Sequence, residues 1–326
     1  LFSIFREHKN WVRILGTPYV NMLNKAVEYN KQNELIQVSE ALHEKKYAEI
    51  ADNIYRRKDE VKLVLLAGPS SSGKTTSCRR IATQLSVLGF KPLQISLDDY
   101  FVDREHTPKD ASGNYDFECI EALDLDFFNY QMKELLSGAE IELPRFDFIS
   151  GKRVQSGNRL KMKANSILIV EGIHALNPHL TDKIEAKNKY NVFVSAMTQL
   201  ALDRHNLISS SDNRLLRRIV RDNNYRGYSA QDTILRWDSV RSGEEKHIFP
   251  YQENADSIFN SSLLYEIGVL KPTAEKLLFE VAQNSPAYSE ARRLQNFLSE
   301  FKSIKTDFIP PTSIMREFLG GSSFAY

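Results

Sequence analysis

What this chain of 326 residues has little of narrows it first. Two cysteines, Cys78 and Cys119, are too few for a disulfide framework or a four-ligand zinc site, so a reducing, cytoplasmic setting is expected. No apolar run approaches the roughly 20 residues that span a bilayer, so no membrane partner is expected. The opening LFSIFREHKN has no signal-peptide layout and no methionine, which leaves open whether the chain is a fragment of a longer protein. A formal net charge of +1 supplies no global pull towards nucleic acid. There is no internal repeat and no low-complexity segment. An Asn-Lys-x-Asp motif is also missing, which argues against a GTPase.

What is present is an alternation of short apolar runs with helical patterns. VKLVLLA (61–67), KPLQISL (91–97), SILIV (166–170), YNVFVSA (190–196) and the weaker DSIFN (256–260) read as strands. The pattern predicts an α/β fold, a doubly wound parallel sheet with helices on both faces. Before it, Tyr47, Ile50, Ala51, Ile54 and Tyr55 form the stripe of an amphipathic helix. Residues 1–58 are expected to be a mainly helical arm, 59–275 the α/β domain, and 276–326 a helical extension and tail. Two polar stretches, 100–160 and 205–250, interrupt the rhythm and read as functional loops or lids.

The first strand runs into GPSSSGKTT, which has the G-x-x-x-x-G-K-[ST] spacing from Gly68 to Thr75 and a helical pattern after it. Such a turn converges backbone N–H groups on an anion at the positive end of a helix. Gly68 and Gly73 let the backbone turn and approach closely. Ser70, Ser71 and Ser72 are small and can add hydroxyl hydrogen bonds. Lys74 reaches the β- and γ-phosphates, and the Thr75 hydroxyl can ligate Mg²⁺; Thr76 completes the loop. ATP and Mg²⁺ are the expected cofactors.

Strand ends on the carboxyl side of such a sheet face the ligand crevice. The second strand ends in Asp98-Asp99, either of which could take a proton from an attacking hydroxyl. The strand at 166–170 ends in Glu171, beside the expected metal. In NRLLRRIVRDNNYRG, Arg214, Arg218 and Arg221 share a helix face, Arg217 lies beside them, and Arg226 follows. Arginines so spread can clamp phosphates, or they can be a solvated basic face paired with Asp212 and Asp222.

GPSSSGKTT, ISLDDYF, YDFE, PRFDF, IVEGIH and DNRLLRRIVRDNNYRG occur here in the order found in the uridine kinase/phosphoribulokinase family, which the chain resembles over about residues 60–270. SEALHEKKYAEIADNIYRR also resembles the linker of bacterial relatives that carry a threonyl-tRNA-synthetase-like region before the kinase. The resemblance implies phosphoryl transfer from ATP to a hydroxyl, most simply a nucleoside 5′-OH. It makes 59–275 the kinase domain, 100–160 the acceptor-binding insertion and 205–250 the lid. It implies Asp98 as catalytic base and Lys74, Arg218 and Arg221 as catalytic cations, with Arg226 on the nucleotide. It puts Phe101, Glu118, Phe146, Arg218 and Arg236 on the acceptor, and Thr75 and Glu171 on the metal. Glu118 stands where the family holds an Asp, and Phe146 where it holds a Tyr. Gly151 and Arg236 stand where it reads the pyrimidine with a His and a Gln, which predicts a relaxed or shifted base preference. A kinase for a sugar phosphate or a pantothenate-like acid, and a nucleotide-regulated RNA-binding module, are the alternative expectations. A homo-oligomer is left open.

Overall fold

In the computed structural model, which describes residues 11–12, 14–109, 113, 115–147, 150–198 and 200–325, each expected strand forms. In chain order the elements are α1 (Val20–Glu28), α2 (Gln32–Tyr55), β1 (Leu63–Ala67), α3 (Lys74–Val87), β2 (Lys91–Ser96), α4 (Leu125–Leu136), β3 (Glu140–Asp147) and β4 (Lys152–Lys161). There follow β5 (Ser166–Glu171), β6 (Lys189–Ser195), α5 (Ser210–Arg226), α6 (Ala230–Leu235), α7 (Trp237–His247), β7 (Ser257–Asn260), α8 (Glu266–Phe279), α9 (Tyr288–Ser299) and α10 (Met315–Leu319).

Five of the strands make one parallel sheet in the order β2-β5-β1-β6-β7. Because side chains alternate along a strand, each central strand feeds two cores. Val64, Leu66, Ile167, Ile169, Val192 and Val194 face the layer that holds α2, α3, α5 and α8. Leu63, Leu65, Ala67, Leu168, Val170 and Phe193 face Phe128, Met132 and Leu135 of α4. Such double burial is why the strands read as continuous apolar runs. The fold is therefore a doubly wound α/β sheet with helices on both faces.

The helical stripe at 47–55 belongs to a longer helix. Tyr47, Ile50, Ala51 and Ile54 are buried, but Tyr55 is 38% exposed, meeting Phe90 edge-on and Lys58 over its ring, so it lies outside the buried face. The seam between α2 and α3 is polar: Arg80 donates to Glu40 and Glu44, Gln84 donates to Glu44, and the Tyr47 and Ser77 hydroxyls meet at 3.0 Å.

The polar stretch 100–160 holds more regular structure than its composition suggests. It contains α4 and an antiparallel hairpin, β3–β4, with a register shift between Glu142 and Pro144. Pro144 and the bulge break the alternation by which a strand is recognised. The stretch 205–250 is helical, α5 to α7, with Ser209 and Ser229 as side-chain N-caps.

Candidate functional site

The carboxyl ends of β1, β2 and β5 and the N-terminus of α3 converge on one crevice. Residues 68–73 form the loop between β1 and α3. Gly73 takes the left-handed conformation at φ 84°, as does Ser71 at φ 58°. Gly68 is required for a different reason: a Cβ there would lie 2.1 Å from the Val194 carbonyl oxygen of β6. Its freedom is used for packing against the neighbouring strand.

The serines divide the work. The Ser70 N–H donates to Glu244 Oε1 (2.8 Å), its carbonyl accepts from Arg214 (3.1 Å), and its hydroxyl accepts from Arg218 (2.9 Å). The Ser71 carbonyl accepts from Arg217 (3.3 Å). The Ser71 and Ser72 hydroxyls are buried without a hydrogen-bond partner among the described residues. Orphaned buried hydroxyls of this kind fit a polar ligand in the loop.

Lys74 donates to the Pro69 carbonyl at 3.0 Å. Burial lowers its pKa, against the opposing pull of Glu171, Asp98 and Glu317. The Thr75 hydroxyl donates to Glu171 Oε1 at 3.1 Å, so the loop hydroxyl and the β5 carboxylate are side by side. Glu171 is pushed up to about 7 by burial, then by the charges of Asp98 and Glu317.

The Asp pair after β2 is separated by its surroundings. Asp99 accepts the Phe146 N–H at 3.2 Å and so ties the hairpin to the sheet; burial raises its pKa. Asp98, whose N–H donates to Ser96 Oγ, lies close enough to raise the pKa values of Lys74, Glu171 and Glu118. Glu118 is pushed up to about 7, chiefly by burial, and its Oε2 has no hydrogen-bond partner among the described residues. Phe101 and Phe146 are buried beside each other, ring centroids 5.6 Å apart.

The basic helix is neither uniformly solvated nor uniformly free for ligand. Arg217 is fully buried on Glu266 (2.5 Å) and on Ser261, and Arg214 is bidentate to Glu244 (2.5 and 2.7 Å). These two brace the loop from behind. Asp212 is held by Arg293 of α9. Asp222, also buried, gathers Arg218 (3.2 Å), Arg221 (2.7 Å) and Arg226 (3.7 Å) on the crevice side. Burial lowers the pKa of Arg218.

Two positions stand apart. Arg236 is exposed, its guanidinium 4.5 Å from the centre of the Tyr228 ring, and no described contact brings it to Glu118 or Phe146. Gly151, at φ 69°, is the hairpin turn; a Cβ there would meet Arg104 Nε at 2.7 Å, so an arginine side chain lies across it.

Glu244 and Glu317 were not legible as parts of this crevice. Glu317 accepts from both the N–H (3.2 Å) and the hydroxyl (2.6 Å) of Thr76. Gly243 beside Glu244 is the one local signal: a Cβ there would lie 2.4 Å from Glu118 Cβ, so α7 can pack on Glu118 only through a glycine.

Comparison with known proteins identifies the family of the chain. The model of the phosphoribulokinase/uridine kinase family matches residues 63–264. A uridine kinase of Staphylococcus aureus strain JH9 is 30% identical over 198 residues, which is 60% of this chain and 86% of that protein. Among solved structures, one described as a fructose transport system kinase from Silicibacter sp. TM1040 aligns at TM-score 0.47 and 17% identity, covering 65% of this chain and 98% of its own. D-glycerate 3-kinase from Cryptococcus neoformans aligns at TM-score 0.43 and 12% identity, covering 67% and 92%. With the family match spanning the loop, both acid-bearing strand ends and the arginine helix, the chain belongs to the phosphoribulokinase/uridine kinase family.

Proposed function

We propose that this protein transfers the γ-phosphoryl group of ATP to a hydroxyl of a small molecule, most simply a nucleoside 5′-OH. The observation that carries the reading is the convergence of Asp98, Glu118, Glu171 and Lys74 on one loop whose Ser71 and Ser72 hydroxyls are unpartnered among the described residues. Residues 68–76 cradle the phosphates. Asp98 accepts the proton of the attacking hydroxyl, since Asp99 is occupied by the Phe146 N–H. Arg218 and Arg221 neutralise the charge that spreads over the transferring group.

Thr75 and Glu171 fit a divalent cation: a hydroxyl and a carboxylate 3.1 Å apart, with excess negative charge around the carboxylate. Mg²⁺ bound there would supply charge neutralisation at the phosphates. Glu118 would accept from acceptor hydroxyls, with Phe101 and Phe146 as an apolar wall. A second reading, an anionic acceptor such as a sugar phosphate or a carboxylated alcohol, is favoured by the Arg104 side chain across Gly151, where the resemblance puts a base-reading group.

The test is a panel of nucleosides, sugar phosphates and hydroxy acids with ATP and Mg²⁺, following ADP release, with Lys74→Ala as control. Acceptor-dependent turnover that falls roughly a hundredfold in the folded control supports the proposal. Equal turnover in the two proteins refutes it. Preference for anionic acceptors selects the second reading.

A further inference from the structure

The C-terminal segment supplies a group that the reaction above has no use for. Thr76 is the third residue of α3, so its N–H has no acceptor within the helix. In a loop of this kind the backbone N–H groups at the helix start bind nucleotide phosphate. Here both Thr76 donors are taken by the Glu317 carboxylate, at 3.2 Å from the N–H and 2.6 Å from the hydroxyl. A carboxylate matches a phosphate oxygen in charge and in accepting geometry, and it is favoured at the positive end of a helix.

Glu317 is held there by its own element. Ser313 donates to buried Glu40 of α2 at 2.6 Å. Arg316 donates to the Thr306 and Ile309 carbonyls at 3.0 and 2.7 Å. Asn224 of α5 donates to the Phe318 carbonyl at 2.9 Å, and the Phe318 ring lies 5.2 Å from the Arg217 guanidinium. Ile314 covers Gly73: a Cβ on that glycine would be 3.1 Å from the Ile314 side chain. The charge of Glu317 is also close enough to act on Lys74 and Glu171. Two anions cannot share one pair of donors.

We propose that Glu317 is a built-in competitor for nucleotide phosphate: its carboxylate occupies an anion position at the start of α3, and a nucleoside phosphate displaces it on binding. The inference rests on the ATP-site reading above. It assigns the C-terminal segment a regulatory contact that lowers the affinity of the empty enzyme for ATP and ADP alike. The carboxylate neutralises the positive helix end while the site waits, and it returns when product leaves.

The experiment is titration of the full chain with ADP and with inorganic pyrophosphate, read by calorimetry, for wild type, Glu317→Gln and Glu317→Asp. Removing the charge should tighten ADP binding roughly tenfold. The shortened carboxylate of Glu317→Asp should fall between. Glu317→Gln should also lower the melting temperature of the empty protein while widening the rise that ADP produces. A merely destabilised variant would not bind more tightly. ADP binding that is unchanged or weaker in both variants overturns the proposal. If none of the three folded proteins binds ADP or pyrophosphate, the ATP-site reading fails, and the proposal with it.

Discussion

Glu171 shows how one side chain ties the crevice to pH. Its carboxyl is held near 7 against an ordinary 4.5. Between those values the folded chain keeps a proton that the unfolded chain has released. Stability of the metal-free protein therefore falls as pH rises through this window, and the penalty is complete above about 7. Glu171→Gln should stabilise the metal-free protein at pH 8 by on the order of 2 kcal/mol and leave it nearly unchanged at pH 4. Denaturant melts at the two pH values check this, and an equal gain at both would break the link to the proton. Arg221 is held by Asp222 and lies close to Lys74, and in the proposed reaction it acts on the transferring group rather than on ground-state nucleotide. Its alanine variant should lower kcat roughly a hundredfold with a smaller change in the KM for ATP. Steady-state kinetics showing a large KM rise at unchanged kcat would contradict that. At this scale the sequence was informative wherever chemistry follows from spacing: the Gly68–Thr75 motif places Lys74 and Thr75 on its own. It could not separate Asp98 from Asp99, because the difference is a hydrogen bond from Phe146, 47 residues away.

At the scale of elements, α7 is fitted to Glu118, the proposed acceptor-binding carboxylate, through Gly243. Gly243→Ala forces a Cβ to within 2.4 Å of Glu118 Cβ, so either the helix or the carboxylate must move. We expect a loss of about 1–3 kcal/mol and a raised KM for the acceptor, with ADP affinity little changed. Thermal melts together with acceptor titrations test this, and wild-type stability and KM would count against it. The central strands β1, β5 and β6 were readable because both their faces are buried, whereas the edge strands β2 and β7 are only partly covered and showed shorter apolar runs. The hairpin β3–β4 was not, since β4 is exposed along nearly its whole length and so carries no apolar alternation. Arg214 was legible on a helix face with Arg218 and Arg221, and Arg217 beside it, but neither as a brace, because their partners Glu244 and Glu266 lie on other helices. A one-dimensional pattern does not contain such pairings.

At the scale of the molecule, segments far apart in sequence meet behind the loop. Glu40 receives the hydroxyls of Tyr265 (2.5 Å) and Ser313 (2.6 Å) and faces Arg80 (3.4 Å), which joins α2, α8, the C-terminal segment and α3 in one buried network. Nothing in the terminal sequence IPPTSIMREFLGG announces this, because its buried apolar residues Ile309, Ile314, Met315 and Phe318 are too few to show a period. Among the described residues, no helix is long and apolar enough to cross a membrane. The exposed hairpin has one more consequence, for colloidal behaviour. Among the described residues β4 pairs with β3 alone, so its outer edge offers unpaired backbone groups to another copy. Lys152, Arg153, Arg159 and Lys161 stud that strand, Arg153 paired with Asp124 and Arg159 with Glu140, and the cations left over keep two such edges apart. Exchanging Arg159 and Lys161 for valine would place two β-formers beside Leu160 and weaken the repulsion at that end of the strand. Light scattering should then rise with protein concentration while the melting temperature of the dilute protein stays near that of wild type, and clear concentrated solutions would show that the edge needs no such guard.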